Sequence, residues 1–160
     1  MKIAVADASP LIVLSGAGFL DCLSGLFGGI KVPQSVFDEI CAGSSKDTLR
    51  FQLSSRPWIE VVHLPQSPTP EVCRRLGRGE TEVIEFARLN PSTVALLDDR
   101  AARRFAVSLG IPVVGSLGVV TAYYTRERTI SFDEAVQRLR RAGLYISVEL
   151  VDAVRKDLNR

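Results

Sequence analysis

Short continuous apolar runs alternate along this chain with longer stretches in which apolar residues recur every three or four positions. Ile3 to Ala6 is the first run, a strand pattern of the kind buried on both faces of a parallel sheet. Asp7 follows it directly, and Ser9-Pro10 can open a helix, since proline fits the first helical turn. Phe19, Leu20, Leu23 and Leu26 continue at helical spacing. Ile30 to Val32 predicts a second strand, and Pro33 opens a helix with Val36, Phe37, Ile40 and Cys41 on one face, stopped by Gly43. Asp47 to Leu53 reads as a further helix and Trp58 to Val62 as a third strand. The stretch from His63 to Pro70, HLPQSPTP, is a proline-rich connection. Gly79 leads into a helix ending near Leu89, Thr93 to Leu97 is a strand, Arg100 to Leu109 a helix stopped by Gly110, and Ile111 to Val114 the last strand. Beyond Gly115 the pattern is helical, over Leu117 to Thr125, Phe132 to Ala142 and Val148 to Leu158, with Ser131 and Glu134 forming a capping box for the middle helix.

Strands separated by helices require crossover connections, so the expected architecture is α/β, a mainly parallel sheet with helices on both faces. The crevice that carries chemistry in such sheets lies beyond the carboxyl ends of the strands. At 160 residues the chain fits a single domain, with no internal repeat or low-complexity segment. Twenty Lys and Arg oppose 18 Asp and Glu, a net charge of +2, so any polyanion must be held by a local basic patch and not by bulk charge. The three cysteines, Cys22, Cys41 and Cys73, form no CxxC or Cys/His cluster, which argues against a disulfide framework or a zinc site and for reduced thiols. The opening MKIAVADASPLIVL resembles a leader only superficially, because Asp7 and Pro10 interrupt it and no small-residue cleavage site follows. No apolar run approaches the roughly 20 residues that span a bilayer, and a cytoplasmic protein is expected.

Acidic residues cluster at the predicted strand ends. Asp7 sits just past the first strand, and Asp98 and Asp99 just past the strand ending at Leu97, so two strand ends of one sheet carry carboxylates toward the same edge. Each could also be a helix cap, Asp7 before Ser9-Pro10 and Asp99 before Arg100. Counting at 100° per residue, Glu80 shares a face with Ile84 and Ala87, whereas Glu85 and Arg88 fall on the polar side. A carboxylate on a core-facing stripe is costly unless paired or bound to a cation. Glu82 lies at the edge of the apolar arc and says less. Glu39 flanks the apolar face of its helix near the C-terminus, where the helix dipole disfavours negative charge; a salt bridge is the ordinary alternative.

Crowded carboxylates raise one another's pKa, and a hard divalent cation relieves the repulsion. Magnesium favours oxygen ligands and leaves room for water and substrate phosphate, and a pair of ions about 4 Å apart can promote phosphodiester hydrolysis. The single histidine, His63, lies in or beside the proline-rich loop, which excludes a two-histidine ribonuclease mechanism. Arg100, Arg103 and Arg104 follow the Asp98-Asp99 pair, and Arg74, Arg75 and Arg78 precede Glu80; both groups could hold a phosphate backbone or simply form a solvated face. Ser9 and Ser116 could donate to phosphate or to a carboxylate, or cap helices.

The segments VADASPLIVL, VPQSVFDEI, LGRGETEVIEFA and LLDDRAARRFAVSLGIPVVGSLGVV, in that order, resemble the PIN-domain family, and within it a PIN-like subgroup with an Asp-Ala-Ser-Pro-Leu start, a Gly-Glu-x-Glu helix opening and an Asp-Asp-Arg turn. The resemblance covers about residues 1–125 of a single domain, with helices from about residue 131 to 160 as an extension. It implies a three-layer α/β/α fold and a nuclease site dependent on Mg2+ or Mn2+. Asp7, Glu39 and Glu80 match the family's acids, as does one of Asp98 and Asp99, with the register favouring Asp99. Many relatives are toxins that cleave RNA and are silenced by an antitoxin protein, and the resemblance together with the apolar helices implies a homodimer. The chain departs from common toxins in having Glu at position 80, where they carry Asp, and LLDD, where they carry a Thr-x-Asp pattern.

The expected activity is therefore metal-dependent endoribonuclease cleavage, with Asp7, Glu80 and Asp99 holding metal, Glu39 and Asp98 completing the site, and Arg103, Arg104, Ser9 and Ser116 near the substrate phosphate. The alternative is a non-catalytic nucleic-acid-binding or regulatory module with a structural magnesium site. A phospho-acceptor domain would want an acidic pair after the first strand, and an Asp-nucleophile hydrolase a second Asp two residues beyond Asp7, where Ser9 stands.

Overall fold

The structure is a computed structural model that describes residues 1–43, 46–65, 68, 74, 76–127 and 129–160. Half of the proline-rich stretch, together with Cys73 and Arg75, lies outside the described residues. Among the described residues are five strands: β1 (Ile3–Ala6), β2 (Gly29–Pro33), β3 (Ile59–Val62), β4 (Val94–Leu96) and β5 (Val113–Val114). The helices are α1 (Ala8–Ala17), α2 (Cys22–Leu26), α3 (Gln34–Ala42), α4 (Lys46–Ser54), α5 (Arg78–Leu89), α6 (Arg100–Ser108), α7 (Ser116–Glu127), α8 (Phe132–Arg141) and α9 (Val148–Leu158). The sheet is parallel throughout in the order β3-β2-β1-β4-β5, and with its helices it forms the expected three-layer α/β/α fold.

The apolar runs read as doubly buried strands behave so: Ala4, Val5 and Ala6 in β1 and Ala95 and Leu96 in β4 have no exposed surface. β3, at one edge, is more open, and Lys31 of β2 pairs there with Glu60. α5 lies across β2, β1 and β4 and against α3, while α2 packs on α7, α7 on α8 and α8 on α1. Ser131 caps α8 by accepting from the Glu134 N–H at 3.1 Å.

Three local readings are corrected. The helical spacing from Phe19 to Leu26 is not one continuous helix: α1 stops at Gly18, which adopts the left-handed conformation (φ 79°), and α2 begins anew at Cys22. Glu85, placed by its helical angle on the polar face, is 2% exposed and forms an ion pair with Arg88 at 2.7 Å. Leu109, read as the last residue of its helix, lies just past it and is 43% exposed, because α6 ends at Ser108 and the chain turns away into Gly110 (φ 73°). Cys22 and Cys41 are free thiols.

Candidate functional site

β1 is flanked by β2 on one side and β4 on the other, so the chain direction across the sheet reverses between β1 and β4. At such a switch point the connections leave in opposite directions and open a crevice at the carboxyl edge. Ala6 pairs with Leu96, and the Asp7 N–H donates to the Leu96 carbonyl at 3.1 Å before the chain enters α1. Asp98 and Asp99 leave the neighbouring strand end toward α6. Backbone pairing thus brings the acids of two distant chain segments to one place.

Asp7 has the backbone conformation of an N-cap for α1, yet its side chain makes no capping hydrogen bond. It is 7% exposed, and burial pushes its carboxyl up to about 7, opposed by the Ala8 N–H and reinforced by Glu80, Glu39 and Asp98. Asp99 does cap its helix, accepting from the Ala102 N–H at 2.8 Å. Asp98 is gripped by Ser116, whose N–H and hydroxyl donate to its two oxygens at 2.7 and 2.6 Å. Ser116 is fully buried, and its hydroxyl is turned to Asp98 and not to the cleft.

The start of α5 closes over this edge. A Cβ at Gly79 would stand 2.9 Å from Asp7 Oδ1, 3.1 Å from Val36 Cγ2 and 3.2 Å from Glu39 Oε2. The helix therefore approaches the sheet as closely as it does because residue 79 has no side chain, and the Asp7 and Glu39 carboxylates reach the same spot. Glu80 follows; its Oε2 accepts from the Gly77 N–H at 3.1 Å, one arm of a capping box whose other arm glycine cannot supply. Burial raises the Glu80 carboxyl above its usual range, the Gly77 N–H opposes this, and Asp99 and Glu39 add to it. Glu39 itself is exposed at the C-terminal part of α3.

Glu80 stands between two clefts. One, of about 580 Å³, is lined by Asp7, Ser35, Glu39, Arg78 and Gly79 as well. The other, of about 960 Å³, takes in Ser9, Asp98, Asp99, Arg100 and Arg103. Arg103 also leans over Gly115, where Asp98 Oδ1 lies 3.0 Å from the place a Cβ would take. Arg104 points instead into a neighbouring cleft with Asp99, Arg100 and Phe105. His63 is exposed on the wall of a further cleft with Gln34, Arg78 and Glu82. Two participants were not legible in the sequence: Ser35, whose hydroxyl donates to Glu82 at 2.5 Å, and the segment from Leu144 to Leu150, which walls the larger cleft. The Gly79-Glu80 pair, a glycine preceding an acid at a helix start, was the available signal for the close approach of α5.

The donor set is all carboxylate oxygen, hard donors of the kind that suit magnesium or manganese. Among the described residues no three carboxylate, imidazole or thiolate groups already converge into a metal-binding cluster. Magnesium takes few protein ligands and keeps several waters, so the near pair of Asp7 and Glu39, with Glu80 beside them, fits such an ion without a closed cage.

The fold is a parallel α/β/α sheet with acids gathered at its switch point. The model of the family DUF3368, a PIN domain, matches residues 3–160, so the match runs through the C-terminal helices as well. The chain belongs to the PIN-domain family, whose members are in general nucleases that typically use divalent metals. No curated protein matches it. Among the described residues no helix is long and apolar enough to cross a membrane.

Proposed function

We propose that this protein is a divalent-metal-dependent endoribonuclease, with Asp7, Glu80 and Asp99 holding Mg2+ or Mn2+ and Glu39 and Asp98 completing the acidic site. The observation that carries the reading is Asp7: a buried carboxylate, held up to about 7 with Glu80, Glu39 and Asp98 all acting on it, at the switch point of the sheet. A group so placed destabilises the empty protein, and a cation relieves that cost. Once bound, the ion supplies charge neutralisation and Lewis acidity at the phosphodiester. The chain's own residues do the rest. Ser116 fixes the orientation of Asp98, and Arg103 and Ser9 line the same cleft as the acids, where they take the substrate phosphate. Arg104, in the adjoining cleft, serves the backbone further along.

The test is cleavage of a pool of labelled structured and single-stranded RNAs by purified protein with manganese, with EDTA, and with Glu80→Gln. Cleavage lost in both controls supports the reading; cleavage that survives EDTA sinks it. A non-catalytic nucleic-acid-binding module of the same fold with a structural magnesium site is the second reading. Tight RNA binding without turnover in manganese would select that one. The resemblance to toxin components extends the proposal to an RNA-cleaving toxin, paired as a homodimer and silenced by an antitoxin. Growth arrest by the wild type but not by Asp7→Asn would support the toxin role.

A further inference from the structure

The second cleft is lined by the acids and arginines already described and also by the turn between α8 and α9. Leu144, Tyr145, Ile146, Ser147 and Leu150 line it. Within that turn the side chains alternate: Leu144 packs on the core, Ile146 is 5% exposed, and Tyr145 between them is 89% exposed. The backbone that carries Tyr145 is fixed from both sides. Gly143 takes the left-handed turn (φ 103°), and the Leu144 N–H donates to the Leu139 carbonyl at 3.1 Å. The Arg140 guanidinium holds the Ile146 carbonyl at 2.8 Å, and Ser147 caps α9 by accepting from the Leu150 N–H at 3.2 Å. Asp133 of α8 pairs with Arg155 of α9 and ties the two helices together.

A singly exposed aromatic means little by itself. This one sits on a hydrogen-bonded turn that lines the same cleft of about 960 Å³ as Glu80, Asp98, Asp99, Arg100 and Arg103, in the size range of small-molecule pockets. Guanidinium groups take the phosphate backbone, and an aromatic face takes a base, which together form the usual equipment for single-stranded nucleic acid. A base can lie on an aromatic ring only when it is free of its own stack, so such a platform discriminates against duplex.

We propose that Tyr145 is a stacking platform for one unpaired nucleobase flanking the scissile phosphate, so that the turn between α8 and α9 selects single-stranded RNA. The assignment rests on the nuclease reading of the cleft. It is tested with the full chain carrying Asp7→Asn, so that RNA stays intact, and an unstructured fluorescent RNA of roughly 12 nucleotides. Tyr145→Ala should weaken binding about tenfold or more, whereas Tyr145→Phe and Tyr145→Trp should bind nearly as well as the parent. An RNA with one abasic position near its cleavage site should bind the parent and Tyr145→Ala alike. A duplex RNA should be indifferent to the substitution. In the active protein Tyr145→Ala should raise KM more than it lowers kcat, with Tm unchanged because the ring is exposed. Equal affinity of Tyr145→Ala and parent for the intact single strand would overturn the platform and leave the ring as a contact for a protein partner. Tyr145-dependent RNA binding in a protein that never cleaves would instead sink the nuclease reading and leave the platform standing.

Discussion

Ser116 holds both oxygens of Asp98, one through its N–H at 2.7 Å and one through its hydroxyl at 2.6 Å, and so joins the end of β4 to the start of α7. Hydrogen bonds to a charged group are among the stronger ones, and this pair sets where one acid of the site points. Ser116→Ala removes the hydroxyl and leaves the backbone bond. Activity should fall about 10- to 100-fold, with a higher manganese concentration needed for half-activation, as for other groups that orient metal ligands. Ser116→Thr should restore most of it. A merely structural serine would lower Tm without moving the manganese requirement, which titration of activity against metal would show.

Asp7 gives the protein a pH-dependent stability of definite sign. Its carboxyl ionises near 3.8 in the unfolded chain and at about 7 in the fold. The folded state therefore binds the proton more tightly, and stability falls as pH rises between these values, the full penalty applying above about pH 7. The shift corresponds to a cost of at most roughly 4 kcal/mol. In EDTA, Asp7→Asn should be more stable than wild type at about pH 8 and no more stable at about pH 4. Magnesium should raise the Tm of the wild type and leave that of the variant unchanged. Thermal melts at the two pH values decide it: a variant no more stable at high pH would mean that Asp7 is not held against its ionised form.

Gly79 offers a way to disturb the acids without unfolding the protein. Gly79→Ala gains up to about 1 kcal/mol of helix propensity. The new methyl, 2.9 Å from Asp7 Oδ1 and 3.2 Å from Glu39 Oε2, must push these carboxylates aside. Tm should change by only a few degrees, while cleavage and magnesium-dependent stabilisation fall at least about tenfold. Wild-type activity in Gly79→Ala would show that the meeting point of Asp7 and Glu39 is not where the chemistry occurs.

Arg88→Ala should do the reverse. It leaves the buried Glu85 carboxylate without its 2.7 Å partner, which destabilises the fold while the acids of the cleft keep their places. The denaturant midpoint should drop, and kcat should hold. Loss of activity at a temperature where the variant is folded would implicate this pair in the site.

What could be read from the residues and what could not divides along physical lines. Continuous apolar runs such as Ile3 to Ala6 carry their meaning locally, so the strands and the acids just beyond them were legible, and with them Asp7 beside Asp98 and Asp99. The stop after α1 was not, because the apolar spacing continues past Gly18 although its backbone does not. Glu85 escaped for a related reason: helical angle says which way a side chain leaves its helix, not what stands there, and Arg88 lets a carboxylate be buried. Which acid would cap a helix and which would be clamped could not be told from adjacency, since Ser116, the partner of Asp98, is reached only through β5. The part of the cleft lined by the turn between α8 and α9 was hidden most deeply, as three residues from Leu144 to Ile146 are too short a run for alternation to register.

The pairing of β1 with β4 also has a kinetic meaning. Residues 3–6 and 94–96 must find each other across most of the chain before Asp7 and Asp98 are neighbours. Contacts of that span are costly to close and form late compared with single helices. If the proposed nuclease function holds, a chain refolding from denaturant should regain its helical signal first and its cleavage only when the two strands meet, so that recovery of activity would report the slow, non-local step of assembly.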